Sequence, residues 1–359
     1  MSPQRLTIAA RTLLGRWTYL AHRPDKMGRI RTRLKGWSKP FHCVYLEICA
    51  HCTLECIMCP RHYCPEEPGV MAEEVFEAFR NDILPQAANV MIRGLGEPLL
   101  HKDAVRMVEA CKASGATVMI TTSGVPLERD VARRLVEAGL DGIELSLDAA
   151  TPETYRTIRR KGDFHRVISN IVALQAVKRH LGRTKPDLFL VPVLTRYVLE
   201  ELPFYIALSK SLGALGVAFT NPSVWTVEME KDLPLYPNGS TPHIEAIFAE
   251  VLRLGRRHKL NVVLPSLEER ETGCTFDVGR NFALTWNGDV RPCCHLFHPT
   301  DSIVYKGDRG ARQRVSFGNI LERRFREIWD SAEYTRFRRA VREGRYPSAC
   351  RHCLVRRGL

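Results

Sequence analysis

The chain has 359 residues, 45% of them hydrophobic, which is enough apolar material to fill a core and fold alone. Its formal charge of +13 is concentrated at the ends: residues 1–40 hold ten Lys/Arg against one acid, and residues 306–359 hold fifteen against six. The stretch between is left at about −5, which excludes a polyanion-binding surface along the middle of the chain.

No apolar run approaches the ~18 residues a membrane span needs, and residues 1–40 lack the apolar core and cleavage site of a signal peptide, so a cytoplasmic location is expected. Twelve cysteines are many for such a chain, because thiols clustered in that compartment mean metal or catalysis more often than disulfides. In chain order, RLTIAARTLLGRWTYLAHR from Arg5 can form a basic amphipathic helix with Leu13, Trp17 and Leu20 on one face. Docking on the protein itself is the favoured use. Contact with anionic lipid or an anionic partner is the alternative. No interleaved aromatic platform of the kind that holds single-stranded RNA is present, which argues against nucleic acid.

Six short β-rich runs follow, beginning at His42, Asn89, Thr117, Gly142, Leu188 and Gly216, with helix-spaced stretches between them from Ala72, Ala104, Asp130, Phe164 and Leu202. Apolar strands alternating with amphipathic helices imply parallel pairing with right-handed crossovers. The fold class is therefore α/β, a partial (β/α)6 barrel over residues 42–225, with its site in the loops at the C-terminal strand ends. A Pro-rich connection and one helix occupy 226–260. A small α+β domain is expected over 261–359, where Asn287-Gly288 marks a hairpin. Residues 1–41 stand as a separate basic segment.

Directly after the first run, Cys52, Cys56 and Cys59 have the spacing C-x3-C-x2-C. Three thiolates from one tight loop can ligate three irons of a cubane and leave the fourth iron open. With this spacing, at this strand end, the chain resembles the radical S-adenosylmethionine superfamily. The resemblance implies that the open iron chelates the amino and carboxylate groups of S-adenosylmethionine, and that a partner such as flavodoxin or ferredoxin supplies the electron. The same resemblance places the methionine amino group at Gly96 and Glu97 of GLGEPLLHKD, and the ribose near Ser146 and Asp148. It pairs Arg159 with the methionine carboxylate, a task suited to a planar guanidinium. Ser123 falls where relatives often have Asn, and Met58 where an aromatic residue packs on the adenine. The plainer readings are a strand-to-helix turn for GEP, an N-cap at Thr151, a solvated Arg159, and zinc at the thiols.

Downstream, Cys274, Gly288, Cys293, Cys350 and Cys353 match the SPASM/Twitch extension of that superfamily, C-x13-G-x4-C followed by C-x2-C. These four cysteines imply one auxiliary 4Fe-4S cluster, the Twitch-like count; a zinc ribbon is the alternative. Cys43 and Cys111 read as core residues, and Cys49 lacks the family's order. Cys64 and Cys294 remain as candidate hydrogen donors to a substrate radical.

The implied reaction is reductive cleavage of S-adenosylmethionine and hydrogen abstraction from a C–H bond, with oxidation or epimerisation of a small sugar-like substrate preferred. A peptide-modifying maturase is the alternative. It is disfavoured by the 41 residues before the first strand, too few for a winged-helix leader-binding domain. A non-catalytic iron–sulfur or zinc module is the competing class.

Overall fold

Strands buried on both faces are built from continuous apolar runs, because each side chain meets a covering layer whichever way it points. Most positions of the six β-rich runs behave in this way, with half-buried exceptions such as His42 in the first and Glu144 in the fourth. The structure is a computed structural model that describes residues 39–236, 239–270 and 272–359; the basic segment expected to be helical lies outside them. In chain order the strands are β1 (Phe41–Leu46), β2 (Glu55–Cys56), β3 (Ala87–Ile92), β4 (Thr117–Thr122), β5 (Gly142–Leu145), β6 (Arg159–Arg160), β7 (Asp187–Leu190), β8 (Gly216–Ala218), β9 (Asn261–Val263), β10 (Asn281–Leu284), β11 (Val290–Arg291), β12 (Thr300–Tyr305) and β13 (Asp308–Arg312). The helices include α1 (Glu73–Ala78), α2 (Ala104–Ala113), α3 (Arg129–Glu137), α4 (Pro152–Ile158), α5 (Phe164–His180), α6 (Leu202–Ser211), α7 (Val227–Asp232), α8 (Pro242–His258), α9 (Phe325–Trp329) and α10 (Ala332–Arg342).

One nine-stranded sheet has the order β11-β10-β1-β3-β4-β5-β7-β8-β9. The six expected strands are all in it, adjacent and parallel, each joined to the next through at least one helix. The partial barrel is thus present, but the sheet does not stop at its sixth strand. β9 pairs in parallel with β8, so the expected boundary at residue 261 falls inside the sheet. β10 pairs in parallel with β1 at the other edge, with β11 antiparallel outside it. An edge strand leaves a row of unpaired backbone groups, and here the C-terminal part of the chain covers both edges. Phe41 of β1, Phe282 of β10 and Phe325 and Trp329 of α9 pack together, with ring centroids 4.6–5.9 Å apart.

The local signals act as expected where the backbone demands them. Thr151 caps α4 by accepting from the Thr154 N–H at 3.4 Å. The Asn287-Gly288 turn joins β10 and β11, with Gly288 at φ +90°, a conformation side-chain-bearing residues rarely adopt. No described helix is long and apolar enough to cross a membrane.

Candidate functional site

The loop after β1 carries the first three cysteines. Its middle is fixed by a two-residue antiparallel ribbon, β2 against β6, that sets Cys56 opposite Arg159. Cys59 donates its N–H to the Cys56 carbonyl at 3.0 Å, and the Arg61 guanidinium donates to the Leu54 carbonyl at 2.6 Å, so the loop is held by its own backbone and one of its own side chains. Two glycines let the β3 end approach it. A Cβ on Gly96 would lie 2.4 Å from the His51 carbonyl oxygen, and one on Gly94 would lie 2.3 Å from Glu47 Cγ.

All three thiols are half-buried and line one cavity of about 390 Å3 at the C-terminal ends of the strands. Met58, Gly96, Glu97, Ser123, Ser146 and Arg159 line it too, as do Cys64 and Cys294. Burial raises the Cys52 thiol, and it pushes Cys56 up to about 11 against the opposing pull of Arg159. Ionising such thiols calls for a cation among them.

The second group forms in the same way. Burial raises Cys293 far above the ordinary thiol range, helped by Cys294, Cys353 and Cys350. Burial likewise takes Cys350 to about 12 with Cys353 and Cys274 as neighbours, and Cys274 to about 11 with Cys353 and Cys294. Cys274, Cys293, Cys350 and Cys353 are therefore brought together from 79 residues of sequence. A single tetrahedral zinc needs its sulfurs about 3.8 Å apart. Among the described residues no three of these seven thiols lie within 4.8 Å of one another; the one such trio is Cys64, Glu66 and His298. A cubane sets its thiolates on separate irons and asks for no such close trio. Both cysteine sets suit iron–sulfur clusters.

Two of the expected contact residues meet partners within the protein. Asp148 does not line the cavity: it is fully buried, with Oδ2 accepting from Arg159 Nε at 2.6 Å and Oδ1 from the Val193 N–H at 2.8 Å. It orients Arg159, and no oxygen is left facing a ribose. Glu97 is 2% exposed, and its carboxylate accepts from the Leu99 N–H, Thr122 Oγ1, the Ser123 N–H and Ser123 Oγ at 2.6–3.1 Å. Four donors use the four lone-pair positions of a carboxylate, so an amino group would meet a saturated acceptor. Its work is to join the ends of β3 and β4. Glu97→Ala is then expected to lower apoprotein stability by about 3 kcal/mol through unmet buried donors, and to weaken S-adenosylmethionine binding as well. Guanidinium midpoints checked against titration decide this; an unchanged midpoint with weaker binding would restore direct contact.

Cys43 and Cys111 are buried thiols of the core, pushed up to about 12 by burial, as expected. Several residues facing the cavity have no local sequence signal. Arg93, Trp225, His295, His298 and Arg312 come from four distant segments. Trp225 is held by its indole N–H on the Met58 carbonyl at 2.9 Å and stacks on Tyr63. Arg312 lies 5.4 Å from its ring centroid. Among them only Trp225, the aromatic after an Asn-Pro turn in TNPSVW, carries a local signal.

The family model of the radical SAM superfamily matches residues 46–195, and that of the iron–sulfur cluster-binding SPASM domain matches residues 274–354. The chain is 27% identical over 321 residues to the tungsten-containing aldehyde ferredoxin oxidoreductase cofactor-modifying protein of Pyrococcus furiosus, covering 87% of each. It is 27% identical over 319 residues to the PqqA peptide cyclase of Xanthomonas axonopodis, covering 86% of this chain and 79% of that one. Its fold is like that of Streptococcus suis SuiB bound to S-adenosylmethionine, with a TM-score of 0.62 at 14% identity over 87% of this chain and 72% of that one.

Proposed function

Because the chain belongs to the radical SAM superfamily and carries a SPASM-type iron–sulfur domain, we propose that it removes hydrogen from a C–H bond of a peptide or protein side chain. The observation that carries this reading is one cavity shared by the two parts of the chain. It is lined by the three-cysteine loop on one side and by Cys294, His295 and Arg312 of the C-terminal part on the other. A substrate seated there touches both halves of the protein. The peptide reading replaces the sugar-like substrate preferred from the sequence, because the PqqA peptide cyclase aligns along most of this chain.

When bound, the first cluster and S-adenosylmethionine supply a 5′-deoxyadenosyl radical. Cys52, Cys56 and Cys59 would hold the cluster. Arg159, aligned by Asp148, would meet the methionine carboxylate, Ser146 the ribose, and Met58 the adenine with an apolar contact. The backbone around Gly96 and Ser123, locked by Glu97, would shape the methionine end. Cys274, Cys293, Cys350 and Cys353 would hold one auxiliary cluster, the Twitch-like count. Four thiolates saturate its irons, so it would serve as an electron relay and favour net oxidation over epimerisation.

Arg312 points to the character of the substrate. It lines the cavity over the Trp225 ring, and no carboxylate is within ion-pair distance of it among the described residues. An acidic side chain of the peptide would complete it. Anaerobically reconstituted, reduced protein is expected to release 5′-deoxyadenosine several-fold faster with pooled peptides containing Asp or Glu than with the amide versions. Stimulation by sugars or aminocyclitols alone would return the substrate to the small-molecule class.

A further inference from the structure

His298 is buried where the C-terminal part of the chain meets the tail of the three-cysteine loop, and both of its ring nitrogens meet carboxylates. Nδ1 lies 2.7 Å from Glu66 Oε2, and Nε2 lies 2.7 Å from Glu47 Oε2. Cys64 joins this pair: its sulfur, a Glu66 oxygen and a His298 nitrogen all lie within 4.8 Å of one another. We propose that Cys64, Glu66 and His298 form a mononuclear metal site, separate from both cysteine clusters, with its remaining coordination position toward the cavity.

The donor set selects the ion. One thiolate, one imidazole and one carboxylate are the ligands of zinc, and three protein ligands with a fourth position open are the pattern of sites at which zinc acts on a bound molecule. Cys64 and His298 line the substrate cavity, so the open position lies where a substrate donor atom can reach it.

The surroundings match as well. A ligating histidine keeps its ring fixed by donating its other N–H to a carboxylate, and Glu47 supplies that partner at Nε2. Glu47 is itself immobile. It is fully buried, its Oε1 accepts from the Leu95 N–H at 2.7 Å, and the missing side chain of Gly94 makes room for it. Glu66 turns Oε1 toward Arg291 and Arg314, each at 3.5 Å, which leaves Oε2 for the ion.

Without an ion, burial lowers the His298 pKa, but Cys64 and the two carboxylates outweigh it and push it up to about 10. A metal ion would take the place of the proton between Nδ1 and Glu66. A coordinated Cys64 cannot donate hydrogen to a substrate radical, which leaves Cys294 alone in that candidate role. None of this depends on the substrate being a peptide.

The test uses the full chain, reconstituted anaerobically with both clusters and then given one equivalent of zinc and desalted. Wild type is expected to retain about one zinc per chain with iron unchanged, and Cys64→Ser and His298→Gln to retain less than about a tenth of that. X-ray absorption at the zinc edge should show one sulfur at about 2.3 Å with nitrogen and oxygen at about 2.0–2.2 Å. The absence of retained zinc would reduce the cluster to a salt-bridged histidine joining the two parts of the fold. A four-sulfur shell, or retention unchanged in Cys64→Ser, would place the metal at the auxiliary cysteines instead; each of these results overturns the proposal.

Discussion

Replacing Cys52, Cys56 and Cys59 together with alanine is expected to lower the iron content of reconstituted protein from about eight to about four per chain, and to abolish cleavage of S-adenosylmethionine. The remaining four irons are those proposed for Cys274, Cys293, Cys350 and Cys353, which form their own half-buried group. Cleavage is expected to fail because the three half-buried thiols of the first loop, which line the cavity, are the ones proposed to hold the cluster there, and the second set would be saturated by its own four. Iron and sulfide analysis with Mössbauer spectra checks the count. Loss of all eight irons would mean that the two centres are not independent, and zinc at the second set would remove the auxiliary cluster from the account.

The second large effect is expected at Arg159. Its guanidinium is 8% exposed and bonds a fully buried Asp148, and β6 ties it to Cys56 of the cluster loop. Arg159→Met leaves Asp148 as an uncompensated buried charge, a loss of about 3–5 kcal/mol. S-adenosylmethionine affinity should fall at least tenfold, since one charge-assisted contact is worth about 1.5–3 kcal/mol. Adding Asp148→Leu separates the two effects, because replacing both members of a buried pair with apolar groups is often close to neutral. The double variant should regain most of the stability and none of the affinity. Recovery of binding in the double variant would show that Arg159 acts only on the fold.

Much of this arrangement is legible in the sequence, and the parts that are not share a physical cause. The six parallel strands announce themselves because a doubly covered strand is largely apolar, as in the Val-Met-Ile runs at Val90–Ile92 and Val118–Ile120. The first cysteine set is legible from its tight C-x3-C-x2-C spacing, the second from its glycine and terminal C-x2-C, and Gly288 because the turn needs a positive φ. What sequence cannot signal is pairing at long range. β9 and β10 read as pieces of a separate domain because nothing local says that they close the two edges of the barrel sheet. Asp148 sits in a motif that suggests ribose contact, but its orientation is decided by Arg159 eleven residues on and by the Val193 N–H. Glu97 is a similar case: its motif is visible, but the donors from Thr122 and Ser123 that occupy it belong to another strand end. Glu47, Glu66 and His298 meet across 232 and 251 residues, and no periodicity spans such a distance.

The most direct measurement is release of methionine and 5′-deoxyadenosine by the reduced, reconstituted chain, compared with the triple Cys52, Cys56 and Cys59 variant that keeps its auxiliary cluster. Stoichiometric release by the wild type and none by the variant is the predicted result. An intact chain with about eight irons that binds S-adenosylmethionine but never cleaves it under reduction, or a triple variant that still cleaves it, would contradict the account.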